Sequence, residues 1–302
     1  MSDPRPSVTT VILNWNGLED TRACLESLRN VSYPSLRIIV VDNASENDEG
    51  SRLEAEYSGF IELIQNDRNV GFAGGANIGI RAALEAGTDY VLLLNNDVTV
   101  DQGFLEAMVL AAGRYKRLAA LSPRAYFDEP RDVIYSTGGV VNVWTGVARQ
   151  VGRGEKDGGQ FAVAGRRDYA DGLCMLIPVE ALDKVGLFDE EYFAYWEETD
   201  WCVRAREKGL RCYYVPEAKV WHKAERSKGA SDAFNYHYRR NALMFVRKRG
   251  GSLHLATALA AQVLYYAPLY FIKNPTRIGR AIAELRALLW HASNRVRRRP
   301  LL

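Results

Sequence analysis

Several features that would assign this chain to a specialised class of protein are scarce. Only 4 cysteines occur among 302 residues and none stands in a CxxC pair, so a disulfide scaffold is not expected. They are typical of buried thiols in a reducing compartment. The N-terminus lacks the charged-then-apolar pattern of a signal peptide, which favours a cytoplasmic location for the first domain. A formal net charge of only +2 gives no reason to expect a nucleic-acid partner.

This near-neutral total is the sum of two unequal parts. Residues 1–222 hold 23 basic and 34 acidic side chains, a net of −11, whereas residues 223–302 hold 16 and 3, a net of +13. The basic part contains Leu253–Ile272, twenty residues without Asp, Glu, Lys or Arg. That length could span a bilayer, but Pro268 and many alanines favour a helix lying on an anionic membrane surface. A buried helix of a soluble domain is the alternative. We therefore predict a domain over 1–223 and a helical, basic, membrane-associated extension over 224–302.

Short apolar runs alternate with helix-forming stretches through the first half of the chain. The runs are rich in β-branched residues and bounded by Asn, Asp, Gly or Pro, which predicts buried strands. The predicted strands are Val8–Leu13, Arg37–Val41, Ile61–Ile64, Tyr90–Leu94 and Leu118–Leu121. The predicted helices are Leu18–Arg29, Asp48–Tyr57, Ala76–Ala86 and Asp101–Arg117. This alternation predicts an α/β fold with a mostly parallel sheet flanked by helices, whose ligands bind beyond the carboxyl ends of the strands.

Three of the predicted strands end in short polar side chains. These are Asn14 and Asn16, then Asp42, and then Asn95, Asn96 and Asp97. A lone Asp after a strand is about as often a cap or turn residue as a ligand. Three sets along one sheet edge indicate a nucleotide site instead. There Asp42 would accept hydrogen bonds from a base or ribose, and Asp97 would hold a divalent cation on a pyrophosphate.

The densest small-residue stretch, Asn69–Gly79, reads NVGFAGGANIG. It has neither the GxGxxG spacing nor the GK[ST] of a P-loop. Glycines allow a backbone to approach a ligand closely, and the N-terminus of the following helix favours negative charge. A tight strand-to-helix connection alone would need fewer glycines.

An acidic and aromatic cluster, YWEETDW, covers Tyr195–Trp201. Acids in a first helical turn are expected from capping and from the helix dipole. A carboxylate beside apolar rings would, however, have a raised pKa, as a general base requires. His222 follows a predicted strand in VWHK, and a lone His in such a place is more often structural than a ligand.

In this order, the motifs resemble family-2 glycosyltransferases with the GT-A nucleotide-sugar fold, close to bacterial rhamnosyltransferases and galactofuranosyltransferases. The matching segments span about residues 7–223 and are VILNWNG, IIVVDNAS, NVGFAGGANIGI, LLLNNDV, DGLCMLI, GLFDEEYFAYWEETDWCVRAREKG and VWHK. The later YHYRRNALMF resembles a segment common in that subgroup. The resemblance implies that residues 1–223 are a GT-A catalytic domain and that the protein transfers a sugar from a nucleotide-sugar donor.

The resemblance also implies a role for each cluster. Asp42 matches the acid that binds the pyrimidine base. Asp97 stands at the last position of a DxD-type motif, and His222 matches a histidine that completes a Mg²⁺ or Mn²⁺ site. Glu198 falls on the catalytic base. The further residues implied are Glu197 and Asp200 for catalysis, Asn14, Asn16, Asn69, Gly71, Phe72, Ala73, Asn77, Asn95 and Asn96 for the donor, and Gly172 and Trp196 for the acceptor.

Two positions depart from the family pattern. Asn95 replaces the first Asp of the DxD motif, which implies a weaker metal site or one partly supplied by the donor's pyrophosphate. Glu198 is one methylene longer than the Asp of many relatives. The expected reaction is inverting, metal-dependent transfer from a dTDP- or UDP-sugar, with rhamnose the leading sugar. The expected acceptor is a hydroxyl of a saccharide or polyprenyl-linked saccharide in cell-surface polysaccharide synthesis, reached by a peripheral protein at the inner face of the cell membrane.

Three other classes remain as alternatives. A polyprenyl-phosphate glycosyltransferase differs only in its acceptor, a phosphate, and would not need a general base. A non-catalytic sugar-nucleotide binding module is compatible with the missing acid of the metal motif. A nucleotidyltransferase would carry an N-terminal Gly-rich loop with a basic residue, where this chain has Asn14-Trp15-Asn16-Gly17.

Overall fold

The computed structural model describes residues 5–223, 232–266 and 286–291. Its strands in chain order are β1 Val8–Asn14, β2 Leu36–Asp42, β3 Glu62–Gln65, β4 Tyr90–Asn95, β5 Val98–Val100, β6 Leu118–Phe127, β7 Ile134–Ser136, β8 Gly139–Asn142, β9 Val147–Gln150, β10 Gly165–Arg167, β11 Cys174–Pro178 and β12 Arg211–His222. Its helices are α1 Leu18–Arg29, α2 Glu49–Glu56, α3 Gly71–Glu85, α4 Phe104–Ala112, α5 Val179–Val185, α6 Glu197–Glu207, α7 Asp232–Arg249 and α8 Ser252–Ala261. Single turns occur at Glu190–Tyr192 and Gln262–Tyr266.

The central sheet is mixed and mostly parallel at the half that carries the predicted site. Its strand order is β10-β12-β6-β11-β4-β1-β2-β3, with β1 to β4 parallel and β11 antiparallel to both neighbours. In register, Asn14 pairs with Asp42, and Leu13 pairs with Asn95. The polar residues that follow β1, β2 and β4 therefore meet at one edge, as the sequence predicts.

Helices pack on both faces of the sheet because each strand of its centre is apolar on both sides. One core lies under α1 and α4 and includes Leu25, Phe104 and Met108. The other lies under α3, α5 and α6 and includes Ile80 and Trp201. All four cysteines are free and buried, as predicted.

The predicted elements of the first half are confirmed, and α1 has the predicted bounds. Two helix bounds differ from the prediction: α4 covers only Phe104–Ala112 of the predicted Asp101–Arg117, and α3 begins at Gly71 rather than Ala76, so most of the glycine-rich stretch is helical. The reason for the early start of α3 is close packing on β1. A Cβ at Gly75 would lie 2.7 Å from Leu13 Cδ2, and one at Gly79 would lie 2.2 Å from Val11 Cγ1. These two glycines let α3 approach the sheet, and only the start of the stretch remains a loop.

The second half of the sheet is longer than the sequence indicates. β6 continues six residues beyond Leu121, the end of the predicted strand, and β12 has an irregularity between Val215 and Lys219. β8 and β9 form an antiparallel pair.

The C-terminal part packs on the rest of the molecule through α7 and α8. A third core joins Tyr192 and Trp196 to Leu243, Phe245 and Ala258. α7 thus shares a core with residues 187–196, the loop that leads into Glu197 and Glu198 and is called the acidic loop below. The domain boundary at 223 stays a prediction. The apolar run 253–272 is helical as far as Tyr266, and its remainder lies outside the described residues. Among the described helices, none is long and apolar enough to cross a membrane.

Candidate active site

A buried hydrogen-bond network joins the ends of β1 and β2. Asn14 Nδ2 donates to Asp42 Oδ1 over 2.8 Å, and the backbone N–H of Ser45 donates to Asp42 Oδ2 over 3.0 Å. Glu49 Oε2 accepts from Asn14 Nδ2 at 3.0 Å and from the N–H of Gly17 at 2.9 Å. Both Asp42 oxygens thus have partners within the chain, and the network fixes the turns on which a base would rest.

Asn43 organises the loop that precedes α3. Its Oδ1 accepts from Asn66 Nδ2 and from the N–H of Val70, while its Nδ2 donates to Asn69 Oδ1 and to the carbonyl of Gly71, all within 3.0–3.1 Å. Sequence reasoning assigned no role to Asn43, Ser45 or Glu49. Their position after a strand was the only signal, since short polar side chains there often bond to nearby backbone.

Two predicted donor residues, Asn16 after β1 and Asn77 in α3, serve different contacts. Asn16 has a left-handed φ of 50° and accepts from the N–H of Glu46 through Oδ1. Asn77 is buried and bonded to the backbone of Phe188 in both directions, at 3.0 Å each. Asn77 thereby ties α3 to the chain at Phe188.

Gly71, Phe72 and Ala73 meet that loop directly. A Cβ at Gly71, whose φ is 78°, would lie 2.5 Å from the carbonyl oxygen of Phe193, and the N–H of Ala73 donates to that oxygen over 3.1 Å. Phe72 is half-buried between them. The start of the glycine-rich stretch and the acidic loop therefore form one surface.

Asp97 and His222 form a pair at the end of β4. His222 Nε2 lies 3.1 Å from Asp97 Oδ2, because β5 and β12 pair antiparallel with His222 opposite Val98. Asp97 Oδ1 and His222 Nδ1 are both buried without a hydrogen-bond partner. An orphaned carboxylate oxygen beside an imidazole is a donor set that suits Mg²⁺ or Mn²⁺. Within the described residues no group of three or more His, Cys, Asp or Glu side chains could hold an ion, so these two would need oxygens from the donor.

The two asparagines before Asp97 are placed differently from it. Asn96 Nδ2 donates to Thr21 Oγ1 over 2.9 Å, which anchors the turn to α1. The backbone N–H of Asn95 donates to the carbonyl of Leu173 over 2.8 Å, and its side chain is half-buried. Of the three predicted residues, Asp97 alone has a buried oxygen without a partner.

Glu197 and Glu198 are the first residues of α6 and follow the acidic loop, whose backbone is strained. Phe193, Tyr195 and Trp196 have φ values of 65°, 69° and 78°, a region that non-glycine residues rarely adopt. Burial raises the pKa of Glu198 to about 7, with a further contribution from the charge of Asp171. Burial, and then the charge of Glu198, raise the pKa of Glu197 well above its usual range. Each acid has one buried oxygen, Oε2, without a hydrogen-bond partner.

Tyr195 is electrostatically coupled to both the acid pair and the Asp97–His222 pair. The pKa of Tyr195 is raised to about 12, first by burial and then by Glu197, Tyr135 and Asp97. The ring of Tyr135 contacts the His222 ring edge-on at 4.3 Å. Gly172 lies against Glu198, since a Cβ at Gly172 would be 3.4 Å from Glu198 Cγ. Tyr195 thus lies within electrostatic reach of both Glu197 and Asp97.

Two predicted site residues lie in positions that do not match the predicted role. Asp200 is fully buried and accepts from Arg204 Nε at 3.0 Å, from Arg249 Nε at 2.7 Å and from the Tyr192 hydroxyl at 3.0 Å. Its carboxylate therefore joins α6 to α7 and to the Tyr192 hydroxyl. Trp196 is 2% exposed and packs in the third core. The preceding residue, Tyr195, is instead 40% exposed.

Comparison with known proteins identifies the family. Residues 9–186 match the model of glycosyl transferase family 2. The chain belongs to that family. It is 27% identical over 237 residues to the N-acetylglucosaminyl-diphospho-decaprenol L-rhamnosyltransferase of Mycobacterium tuberculosis, covering 69% of this chain and 73% of that protein. It is 24% identical over 285 residues to a dTDP-rhamnosyl transferase of Shigella flexneri, covering 90% of each chain.

Solved structures share the fold. A mannosyltransferase from Pyrobaculum calidifontis in complex with GDP-Man and Mn²⁺ superimposes with a TM-score of 0.60 at 16% identity, covering 96% of this chain and 88% of that one. S. aureus TarS in complex with UDP-GlcNAc gives 0.60 at 15% identity, covering 93% and 79%. The protein is therefore a glycosyltransferase with the α/β GT-A fold, similar to rhamnosyltransferases, as the sequence predicts.

Proposed function

We propose that this glycosyltransferase is an inverting, metal-dependent enzyme that moves rhamnose from dTDP-rhamnose to a hydroxyl of a polyprenyl-linked saccharide. The observation that carries the proposal is the pairing of Glu198, whose Oε2 is buried and whose pKa is about 7, with the Asp97–His222 pair, in which Asp97 Oδ1 and His222 Nδ1 have no hydrogen-bond partner. The dTDP-rhamnosyl and diphospho-decaprenol chemistry of the two relatives named above supports the donor and acceptor.

Glu198 acts in this proposal as the general base. It takes the proton of the acceptor hydroxyl while that oxygen attacks the anomeric carbon from the face opposite the nucleotide. The bond from the anomeric carbon to the diphosphate oxygen breaks, and the nucleoside diphosphate leaves with the electron pair. A base with a pKa near the operating pH serves this step best. Attack from the opposite face inverts the anomeric configuration.

Asp97 and His222 would hold the divalent cation, together with oxygens of the donor's diphosphate. When bound, Mg²⁺ or Mn²⁺ supplies charge neutralisation for the departing diphosphate. Asn14, Asp42 and Glu49 keep the neighbouring strand ends fixed, so the base and ribose meet a rigid surface. Asn69, Gly71, Phe72 and Ala73 line the path from that surface to the acidic loop.

The central test is a transfer assay with a panel of dTDP-, UDP- and GDP-sugars and a diphospholipid-linked saccharide acceptor, with Mn²⁺ or with EDTA. We expect turnover with one donor, loss of turnover in EDTA, and an inverted anomeric product. Glu198→Gln should abolish transfer while leaving donor binding nearly intact, and Glu180→Gln, exposed on α5, is the control. Transfer to a lipid phosphate that persists in Glu198→Gln would support a polyprenyl-phosphate glycosyltransferase instead. Retention of configuration would contradict the mechanism.

The acceptor's lipid requires the enzyme to work at a membrane, and we propose peripheral binding to an anionic surface through α8 and the turn that follows it. Leu253 and Leu264 are 65% and 76% exposed. The exposed Trp144, between β8 and β9, lies beside them: its ring contacts that of His254 at 3.9 Å, and its carbonyl accepts from Thr257 Oγ1. Exposed apolar side chains in a basic segment are typical of interfacial helices.

Vesicle flotation tests this surface. The protein should float with vesicles that contain anionic lipid and less with neutral ones. Leu253→Glu combined with Leu264→Glu should abolish flotation. The matched control is Leu110→Glu, because Leu110 on α4 is 58% exposed but lies outside this segment. Equal flotation of both variants would contradict the proposed surface.

A further inference from the structure

α7 contacts the acidic loop through Asn241, a fully buried asparagine. Asn241 Nδ2 lies 2.8 Å from the carbonyl oxygen of Tyr192, 2.7 Å from that of Ala194 and 2.7 Å from that of Tyr195. An amide group has two N–H donors, so three carbonyls share them. Its Oδ1 accepts from Arg240 Nε at 2.8 Å, which fixes the orientation of the amide.

The loop needs such a contact because its backbone is unfavourable in isolation. Left-handed φ values at Phe193, Tyr195 and Trp196 are unfavourable for residues other than glycine and persist only where the surroundings enforce them. Carbonyl groups turned inward away from water also need donors, because an unpaired buried carbonyl is costly. The Asn241 amide both donates to these carbonyl groups and holds the backbone in its left-handed conformation.

Two further contacts complete the hold on the loop. Arg240 Nη2 donates to the carbonyls of Glu191 and Tyr192, at 3.1 and 2.7 Å. From the opposite side, the N–H of Ala73 in α3 donates to the carbonyl of Phe193. The loop is therefore held between α7 and the start of α3, and it leads directly into Glu197 and Glu198.

We infer that Asn241 is a positioning residue for sugar transfer: its amide holds the 192–195 backbone in the conformation that sets Glu198 opposite Gly172. The inference rests on the proposed function of Glu198 as the base. It also gives the YHYRRNALMF segment a task in the reaction, since Arg240 and Asn241 lie at its centre. Asn241 touches no reacting atom and acts only through the loop.

The test compares Asn241→Ala and Asn241→Asp with wild type. Asp keeps the shape but its carboxylate cannot donate to the three carbonyls, so both variants should lower kcat about 100-fold, the order expected when a catalytic group is misplaced by about 1 Å. The dissociation constant for the nucleoside diphosphate should change less than about threefold, since the donor side of the site is not held by α7. A kcat within about threefold of wild type in Asn241→Asp would overturn the inference.

A matched control separates positioning from general loss of stability. Arg247→Ala removes a different contact of α7, in which Nη2 donates to the carbonyl of His291 over 2.9 Å. It should lower the melting temperature while keeping kcat. If Asn241→Ala does not fold, Asn241→Ser, which retains one hydroxyl donor, should fold with an intermediate kcat. Loss of kcat in Arg247→Ala equal to that in the Asn241 variants would also overturn the inference.

Hydrogen exchange gives a readout that does not depend on turnover. Amides of residues 193–198 should exchange faster in Asn241→Ala than in wild type, while those of β1 and β2 should not change. Wild type without transfer activity on any donor would refute the proposed function, yet faster exchange would still establish the hold on the loop. Active wild type with unchanged exchange in the variant would refute the positioning role alone.

Discussion

Replacing Glu198 by Gln is expected to stabilise the fold at alkaline pH while it abolishes transfer. The Glu198 carboxyl is held among buried groups, close to Asp171, and has an oxygen without a hydrogen-bond partner. Its ionised form is therefore less well solvated in the folded protein than in the unfolded chain. Gln has nearly the same shape and never carries that charge.

The magnitude follows from the pKa. The folded-state value of about 7 lies above the ordinary 4.5, and each pKa unit is worth about 1.4 kcal/mol, so the full effect is roughly 3 kcal/mol. Between these two values the unfolded chain has released a proton that the folded protein retains. The wild-type free energy of unfolding therefore falls as pH rises from about 4.5 to 7, and levels off above. Since water screens part of the charge, we expect Glu198→Gln to gain about 1–3 kcal/mol at pH 8 and almost nothing near pH 4.5.

Urea denaturation of both proteins at pH 5 and pH 8 measures this difference. Glu180→Gln is the control and should show the same small change at both pH values. A Glu198→Gln variant that is less stable than wild type at pH 8, or whose stability difference does not depend on pH, would refute the burial argument. If Glu198→Gln loses transfer activity and gains stability, then Glu198 lowers the free energy of unfolding of the wild type while it is required for the reaction.

Three further predictions concern the metal pair, the pH dependence and the helix–sheet contact. Asp97→Asn should weaken Mn²⁺-dependent donor binding at least tenfold, measured by calorimetry, without changing metal-free nucleotide binding; equal loss in EDTA would contradict a metal role. The transfer rate should fall as pH drops through about 7, because a protonated Glu198 cannot accept the acceptor's proton; a rate that is constant from pH 8 to 5.5 would contradict this. Gly79→Ala should destabilise the protein by about 1–3 kcal/mol because its Cβ would meet Val11, whereas Gly113→Ala, whose Cβ would make only an ordinary contact at 3.8 Å with the Leu110 carbonyl oxygen, should be nearly neutral in thermal unfolding.

The strands and their polar ends could be predicted from the sequence because each carries a local signal. Buried parallel strands are short apolar runs, and Asn14, Asp42 and Asp97 follow such runs directly. α3 could not be predicted fully, because glycine has a low helix propensity. This low propensity is outweighed by packing, because Gly75 and Gly79 leave space for the side chains of Leu13 and Val11. That packing exists only in the folded protein.

The positions of Trp196 and Asp200 could not be predicted for a different reason. Helical periodicity says which residues share a face only if the helix has regular backbone at its start. Tyr195 and Trp196 have left-handed φ values, so the chain turns before α6 and directs Trp196 into the third core. Asp200 then meets Arg249, a residue 49 positions away that no local pattern connects to it.

The basic character of the C-terminal part has two separate uses. Arg240, Lys248 and Arg249 are turned inward, and Lys248 Nζ pairs with Asp189 at 2.7 Å. Part of the net charge of +13 therefore forms ion pairs with acidic side chains of residues 1–222. Basic side chains that are turned inward cannot attract a lipid surface. Arg295, Arg297, Arg298 and Arg299 lie outside the described residues.

Removing residues 292–302 tests whether those four arginines supply the membrane attraction. Each basic residue near an anionic surface contributes about 1 kcal/mol, so the truncated protein should bind anionic vesicles at least tenfold more weakly, and the difference should shrink as salt rises. Its melting temperature should stay unchanged if these residues serve only the membrane. Unaltered vesicle affinity at low salt would contradict the electrostatic contribution of this segment and leave the exposed leucines of α8 and its following turn to account for binding alone.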